Sequence, residues 1–373
     1  MNAAGLILSG IYSDRLDPIA GHRTVASLPF GGRYRHIDFI LSSMVNSGIS
    51  DVGIITKNNY QSLIDHLGSF QDWDLNRRRG GAKLIPPHAA KDLGDYRGKI
   101  EELRAGIPFL RGIDADYVVV ADTLTLCSID LRRVVEAHAK SLNDITIVVS
   151  EVKKDEEDLS ELVFDPGPDD APERIYLNRS GVVGQYSSDG IYVVSRNFLI
   201  DRIEAFASAG YYHLERDLIL QGFNTGELKV GLYKFGGTVL KNRSIPEYFE
   251  NSFSLLDPSV GEGLFLPDRP VYTAIRDEQP TRYGAGCRVV ECIVADGSRI
   301  DGEARRSVIS RGVVIEKGAS VINSVIMDGC VIRSGARVEN AVLDRYVDVG
   351  SACILRGSPQ APVVIEKNKK LIK

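Results

Sequence analysis

Cysteine is scarce and in the wrong pattern for chemistry: the 373-residue chain has five. An odd number argues against a disulfide framework. Four of the five (Cys287, Cys292, Cys330 and Cys353) fall in the C-terminal quarter without CxxC spacing. They are expected to be small buried apolar side chains, not zinc ligands. Long apolar runs are also missing, since none approaches the ~18–20 residues of a membrane span. The opening MNAAGLILSG has no basic n-region and is short for a signal peptide, so it reads as a buried strand of a cytoplasmic protein. There is no excess of positive charge. Lys and Arg number 45 against 50 Asp and Glu, a net −5 that argues against nucleic acid as a partner. Arg77, Arg78 and Arg79 beside Trp73, and the tail KNKKLIK, lack the repeated aromatics that stack bases, and read as a solvated loop and tail.

What is present is globular. An apolar fraction of 43% is enough for a sizeable core, and the length suggests about two domains at roughly 150 residues each. Ten carboxylates against Lys153 and Lys154 crowd residues 151–173, giving a local −8 and leaving the remainder at +3. With Pro166, Gly167, Pro168 and Pro172 in it, this stretch is expected to be a solvated excursion between two strands.

Residues 1–150 alternate strand-like runs with amphipathic ones. AGLILSG, DVGIITK, DYVVVADT and DITIVVSEV alternate with IDFILSSMVNSG, QSLIDHLGSF, KIEELRAGIPFL and LRRVVEAHAK. That order implies βαβ units and a doubly wound, Rossmann-like α/β sheet. Ligands then bind beyond the carboxyl ends of strands, in the loops after Gly5–Ser9 and Val118–Val120.

The C-terminal region repeats. Residues 308–324, 325–341 and 342–358 superpose without gaps at a period of 17. Aliphatics recur within each repeat: Ile309, Ile315, Val321; Ile326, Ile332, Val338; Leu343, Val349, Leu355. Glycines at Gly312, Gly318, Gly329 and Gly335 mark turns. This is the pattern of a parallel β-helix with three faces per coil, preceded by a looser coil through Val294 and Ile300. An apolar segment, PVVIEK (362–367), could cover its open end. The expected division is an α/β domain over 1–255, a linker over 256–286, and the β-helix with its tail over 287–373. SIPEYFENSFSLLDP is expected to be one helix and LPDRPVYTAIRDEQPTRYG an extended, proline-punctuated connection.

The run LPFGGRYRHIDFILSSMVNSGI (28–49) closely resembles the segment after the nucleotide loop of glucose-1-phosphate adenylyltransferases. SDGIYVV (188–194) is similar to that family's sugar-pocket strand, and SIPEYFENS (244–252) to the helix that follows. The resemblance covers essentially the whole chain and implies a nucleotidyltransferase domain followed by a left-handed parallel β-helix. Such enzymes join glucose 1-phosphate to ATP and release pyrophosphate. The chemistry needs backbone N–H groups close to the triphosphate, cations on the moving phosphoryl, and carboxylates for divalent ions.

Most of those parts are absent. The family's glycine loop reads GIYSDRL (10–16), with bulky Ile11 and Tyr12 where backbone should meet phosphate. The lysine of Arg-Ala-Lys-Pro becomes Val25, no Glu-Lys-Pro occurs, and the Gly-Thr-Ala-Asp-Ala motif falls on GKIEE (98–102). The late metal Asp falls on Lys241. The other metal Asp falls on Leu124, so Asp122 could serve only if the loop were rearranged; otherwise it caps a turn. No catalytic residue, metal or cofactor is expected. Gly10, Arg15 and Asp122 remain as a vestigial nucleotide or phosphate site and Ser188 as a vestigial sugar contact, with at most a weak nucleotide or sugar-phosphate ligand. The family includes degenerate chains of this kind. The resemblance therefore implies a regulatory subunit in a hetero-oligomer, a tetramer, with a catalytic glucose-1-phosphate adenylyltransferase paralogue in glycogen biosynthesis. The alternatives are an active sugar-phosphate nucleotidyltransferase drawing its metal ligands from Asp122, Glu101 or Glu102, and an acyltransferase on the β-helix. The latter needs a histidine between coils, and none follows His213.

Overall fold

A computed structural model describes all residues except 1, 11–13, 79, 87–96, 153–160, 178–179, 181 and 373. Ile11, Tyr12, Arg79, Lys153 and Lys154 therefore lie outside the described residues.

The N-terminal domain is built on a nine-stranded sheet. Its strands are β1 (Ala3–Leu8), β2 (Asp51–Ile55), β3 (Gly81–Ile85), β4 (Tyr117–Ala121), β5 (Ile145–Glu151), β6 (Leu162–Pro166), β7 (Pro172–Leu177), β8 (Tyr186–Ser195) and β9 (Val230–Lys234). β4, β1, β2 and β3 lie side by side and parallel, as the alternating pattern requires. The sheet is mixed beyond them. β8 runs antiparallel between β4 and β5, and β9 pairs parallel with β5. Helices α1 (His36–Asn46), α2 (Lys99–Arg111), α3 (Leu131–Lys140) and α4 (Arg196–Ser208) cover the two faces, with a separate apolar cluster on each. Gly5 lets α1 lie close, because a Cβ there would sit 2.4 Å from the Met44 sulfur. The cap of α1 is built into the GGRYRHID run: the Arg35 N–H donates to Asp38, which also accepts from His66 at 2.6 Å.

The acidic stretch is only partly an excursion. β6 and β7 form a hairpin inside it, and Leu162, Val163 and Phe164 are fully buried. Three apolar residues on a sheet edge outweigh the surrounding charge.

The C-terminal region forms three parallel sheets of six, five and five short strands. Pairing joins Val308 to Val325, Val314 to Val331 and Ser320 to Arg337, the 17-residue step of the sequence. Ile309, Ile315, Val321, Ile326, Ile332, Val338, Leu343 and Val349 fill the interior. The first strand is Arg282–Tyr283, ahead of residue 287. Val363–Ile365 pairs with Ala341–Leu343, so PVVIEK continues the coil. Cys330 is buried as expected, whereas Cys287, Cys292 and Cys353 are half-buried because they lie on the first and last coils, which have one neighbour only.

Between the domains lie helices α5 (Ile245–Ser254) and α6 (Pro258–Leu264) and an extended strap. The strap is tied to α1: Ser42 Oγ accepts from Tyr272 N at 2.8 Å and Asn46 donates to the Pro270 carbonyl at 3.0 Å. One β-helix face, through Val308, Val325, Met327 and Val342, shares an apolar cluster with Leu28, Phe30, Tyr248 and Phe253. The Gly31–Gly32 turn abuts it so closely that a Cβ on Gly32 would come within 3.3 Å of the Ile309 carbonyl oxygen. Among the described residues no helix is long and apolar enough to cross a membrane.

Candidate functional site

The parallel strands end where the sequence places the vestigial site. Gly10 follows β1 and Asp122 follows β4, the strand next to it. Gly10 is buried, and a Cβ on it would meet the Lys57 side chain at 2.2 Å. Arg15 is exposed on the short turn Asp14–Leu16. Asp122 is committed elsewhere. Its Oδ1 accepts from Leu124 N at 3.1 Å, and its Oδ2 lies 3.3 Å from Lys99 Nζ. Gly190, with φ +69°, makes room for that carboxylate; any Cβ there would come within 2.4 Å of it.

Ser188, Asp189 and Gly190 lie at a register shift where β8 leaves β5 and resumes at Tyr192. Bulges of this kind re-aim side chains beside functional sites. Ser188 is buried; its hydroxyl accepts from Gly190 N at 3.1 Å, and its carbonyl accepts from Lys241 Nζ at 2.7 Å. None of these contacts includes Arg15. The shift also turns Asp189 fully inward, where one carboxylate oxygen accepts from Ser150 at 2.6 Å and the other has no hydrogen-bond partner.

Two half-buried lysines dominate the cleft. Lys241 sits on a two-stranded ladder, Leu240–Lys241 against Thr125–Leu126. Its ammonium donates to Ser187 Oγ at 2.8 Å and lies 3.1 Å from Asp189 and 3.4 Å from Glu161. Burial works against the charge of Lys241, but Glu161 and Asp189 more than offset this and hold its pKa above the usual lysine value. Burial in turn pushes both carboxyls up, against the pull of Lys241. Arg243 supports the pair, reaching Glu161 at 2.6 Å and Glu247 on α5. Beside them a cleft of about 520 Å³ is lined in part by Lys234, Lys241, Arg243, Glu247 and Asn251.

Lys99 was not singled out by the sequence, although it stands inside GKIEE where the resembled motif has threonine. It opens α2 and bridges Asp122 to Glu215 at 2.7 Å. Glu215 belongs to a π-helical segment, Leu214–Leu220, and also accepts from the Tyr192 hydroxyl at 3.2 Å. Close approach is possible because residue 98 is glycine: a Cβ would meet the Tyr212 carbonyl oxygen at 2.1 Å. Burial disfavours the lysine charge, yet Glu215, Tyr192 and Asp122 hold its pKa well above normal. Glu215, despite burial, is kept below the usual carboxylate range by Lys99. A lysine between two acids from distant segments is the signal that could have found it, but only pairing through space reveals the acids.

The residues present do not suit the divalent ions that nucleotidyl transfer uses. Both Asp122 oxygens are engaged and Lys241 occupies the centre of the second acidic group. Glu101 is held by Arg97 at 2.6 Å, and Leu124 packs into the apolar cluster. Among the described residues no three His, Cys, Asp or Glu side chains converge as a metal site. Val25 is likewise buried in the cluster shared with the β-helix.

Residues 4–159 match the nucleotidyl transferase family, and residues 277–356 match the GlmU-like C-terminal hexapeptide family, in keeping with a left-handed parallel β-helix here. A glucose-1-phosphate adenylyltransferase of Pseudothermotoga lettingae is 27% identical over 326 residues, 85% of this chain and 75% of that one. The glycogen biosynthesis protein GlgD of Geobacillus stearothermophilus is 33% identical over 318 residues, 85% of this chain and 82% of its own. GlgD of Bacillus subtilis is 31% identical over 364 residues, 97% of this chain and 95% of that protein. With such identity over nearly the full length of both sequences, the chain belongs to the GlgD family of glycogen biosynthesis proteins.

Proposed function

We propose that this chain is a regulatory subunit, non-catalytic or weakly catalytic, that works with a catalytic glucose-1-phosphate adenylyltransferase paralogue in a hetero-oligomer, a tetramer, of glycogen biosynthesis. The observation that carries this reading is Lys241. The charge that would have to be negative to hold a cation is positive, half-buried and bound to Asp189 and Glu161. Asp122 supports the same reading, since both its oxygens are occupied by the chain's own groups.

Losing one preorganised charge stabiliser costs ~10²–10³ in rate. With several lost at once, a turnover of ~10 s⁻¹ would fall to roughly 10⁻³ s⁻¹ or below. Such a subunit changes its partner's rate only by binding the partner's active state more tightly than its inactive one. A coupling of ~1–3 kcal/mol, about 5–150-fold, is the usual size. The alternative, an active nucleotidyltransferase drawing metal ligands from Asp122, Glu101 or Glu102, would have to release Asp122 from Lys99, free Glu101 from Arg97, or expose Glu102, which is fully buried.

The test is pyrophosphate release by the chain alone, by the catalytic paralogue alone and by the two co-expressed, with size-exclusion chromatography of each. Near-zero activity alone, a stable complex, and an activity or effector response above the paralogue's own are expected. Turnover of ~1 s⁻¹ by the isolated chain, within the ordinary enzyme range, would favour the alternative. No complex and no change in rate at micromolar concentrations would overturn the regulatory role.

A further inference from the structure

Lys99 and Lys241 come from different parts of the chain and make the same arrangement twice: a half-buried ammonium between two carboxylates drawn from separate segments. Lys99 joins Asp122, at the end of β4, to Glu215 on the π-helical segment. Lys241 joins Asp189, on the β8 bulge, to Glu161 at the start of the β6–β7 hairpin. The two arrangements adjoin: Asp122 faces Lys99 through Oδ2, while its backbone N–H donates at 3.0 Å to the carbonyl of Gly190, the residue after Asp189. Tying β4, the bulge, the hairpin and the π-helical segment together through bridging cations is what a divalent ion does in a carboxylate-lined cleft. Here the bridging cations are supplied by the protein itself. Lys241 spends its N–H groups on Ser187, Ser188 and Asp189, with Glu161 alongside.

We infer that the ammonium groups of Lys99 and Lys241 are built-in counter-cations that take the place of divalent ions in this cleft, so that it keeps its form without metal and takes none up. Removing Lys99 leaves Asp122 and Glu215 without their shared cation, and removing Lys241 leaves Asp189 without its ammonium while Arg243 still holds Glu161; a divalent ion then becomes the available substitute. The inference concerns the cleft of the proposal above but not the partner. Its test reads stability and cation binding, not turnover, so the two can fail separately.

The full chain, Lys99→Met and Lys241→Met are melted in EDTA and in millimolar Mn²⁺. The unaltered chain is expected to melt at the same temperature in both. Each variant is expected to melt lower in EDTA and to regain part of the loss in Mn²⁺. Titration calorimetry with Mn²⁺ should give no site on the unaltered chain. Lys241→Asp, which sets a third carboxylate beside Glu161 and Asp189, should show saturable Mn²⁺ binding, at least about tenfold tighter than Lys241→Met. Stabilisation of the unaltered chain by Mn²⁺, or variants whose loss the ion leaves untouched, would overturn the inference. If the variants do not fold, the unaltered chain's calorimetry decides alone: saturable binding overturns, none supports.

Discussion

His36 is fully buried, with Nδ1 donating to the Thr123 carbonyl at 3.1 Å and Nε2 accepting from Asn242 at 3.2 Å. Burial, only partly offset by the bond to Thr123, lowers its pKa from 6.5 to about 3. The unfolded chain takes up this proton below about pH 6.5 and the folded chain does not. The stability tied to neutral His36 is therefore intact above about pH 6.5 and is lost as pH falls toward 3, at ~1.4 kcal/mol per pH unit. His66 shifts the same way, burial outweighing its contact with Asp38. Denaturant unfolding at a series of pH values should show stability falling steeply below about pH 6. His36→Gln should make that slope shallower by about one proton. An unchanged slope would mean that His36 is already protonated in the fold.

The β-helix strands are two or three residues long, so the corners decide whether coils stack. Corner residues with positive φ repeat at the coil spacing: Gly312, Gly329 and Tyr346 in one row, Gly318, Gly335 and Ala352 in another, and Arg306, Asn323 and Asn340 in a third. Asn323 donates its side-chain amide to Asn340, and Asn340 donates to the Gly357 carbonyl at 3.2 Å. Ala352 is exposed and holds φ +56°, a conformation that strains an L-residue by ~1–2 kcal/mol. Ala352→Gly should therefore raise the stability by about 1 kcal/mol, read as an upward shift of the urea midpoint. The reverse change one row over should be costly. At Gly329, with φ +69°, a Cβ would also press to 2.6 Å from the Tyr346 ring, so Gly329→Ala should lower stability by more than about 1 kcal/mol.

The two domains are joined by more than apolar surface. Arg23, from the RTVAS segment, reaches Asp344 of the β-helix through one guanidinium nitrogen, 2.6 and 2.7 Å from the two carboxylate oxygens, and both side chains are almost fully buried. Truncating one member of such a pair leaves an uncompensated buried charge and typically costs ~3–5 kcal/mol. Asp344→Ala should weaken the junction by that amount, and thermal unfolding should separate into two transitions. The double variant Arg23→Met, Asp344→Leu should recover most of the loss, since apolar replacements of similar volume often match a buried ion pair. Calorimetric scans of the three proteins read both outcomes.

Local pattern carried much of this protein. The βαβ alternation, the 17-residue period and the helix at SIPEYFENS follow from side-chain periodicity, which depends on near neighbours alone. The PFGGRYR segment and the lost lysines and acids were legible for the same reason, as short motifs with fixed spacing. The antiparallel insertion of β8 between β4 and β5 was not legible, because strand order is set by which edges meet in space. Nor was the β6–β7 hairpin, whose three buried apolar residues are outnumbered locally by charge. The same holds at the cleft. Lys241 could be recognised as a cation in an acid's place, but Lys99 became part of the site only when the fold brought Asp122 and Glu215 to it from positions 23 and 116 residues away. Sequence by itself determined the βαβ order, the coil repeat and the place of Lys241 in the resembled motif, because periodicity and motif spacing are local. Tertiary structure decided how the remaining charges neutralise one another, since Coulomb interactions act across distances that chain separation does not measure.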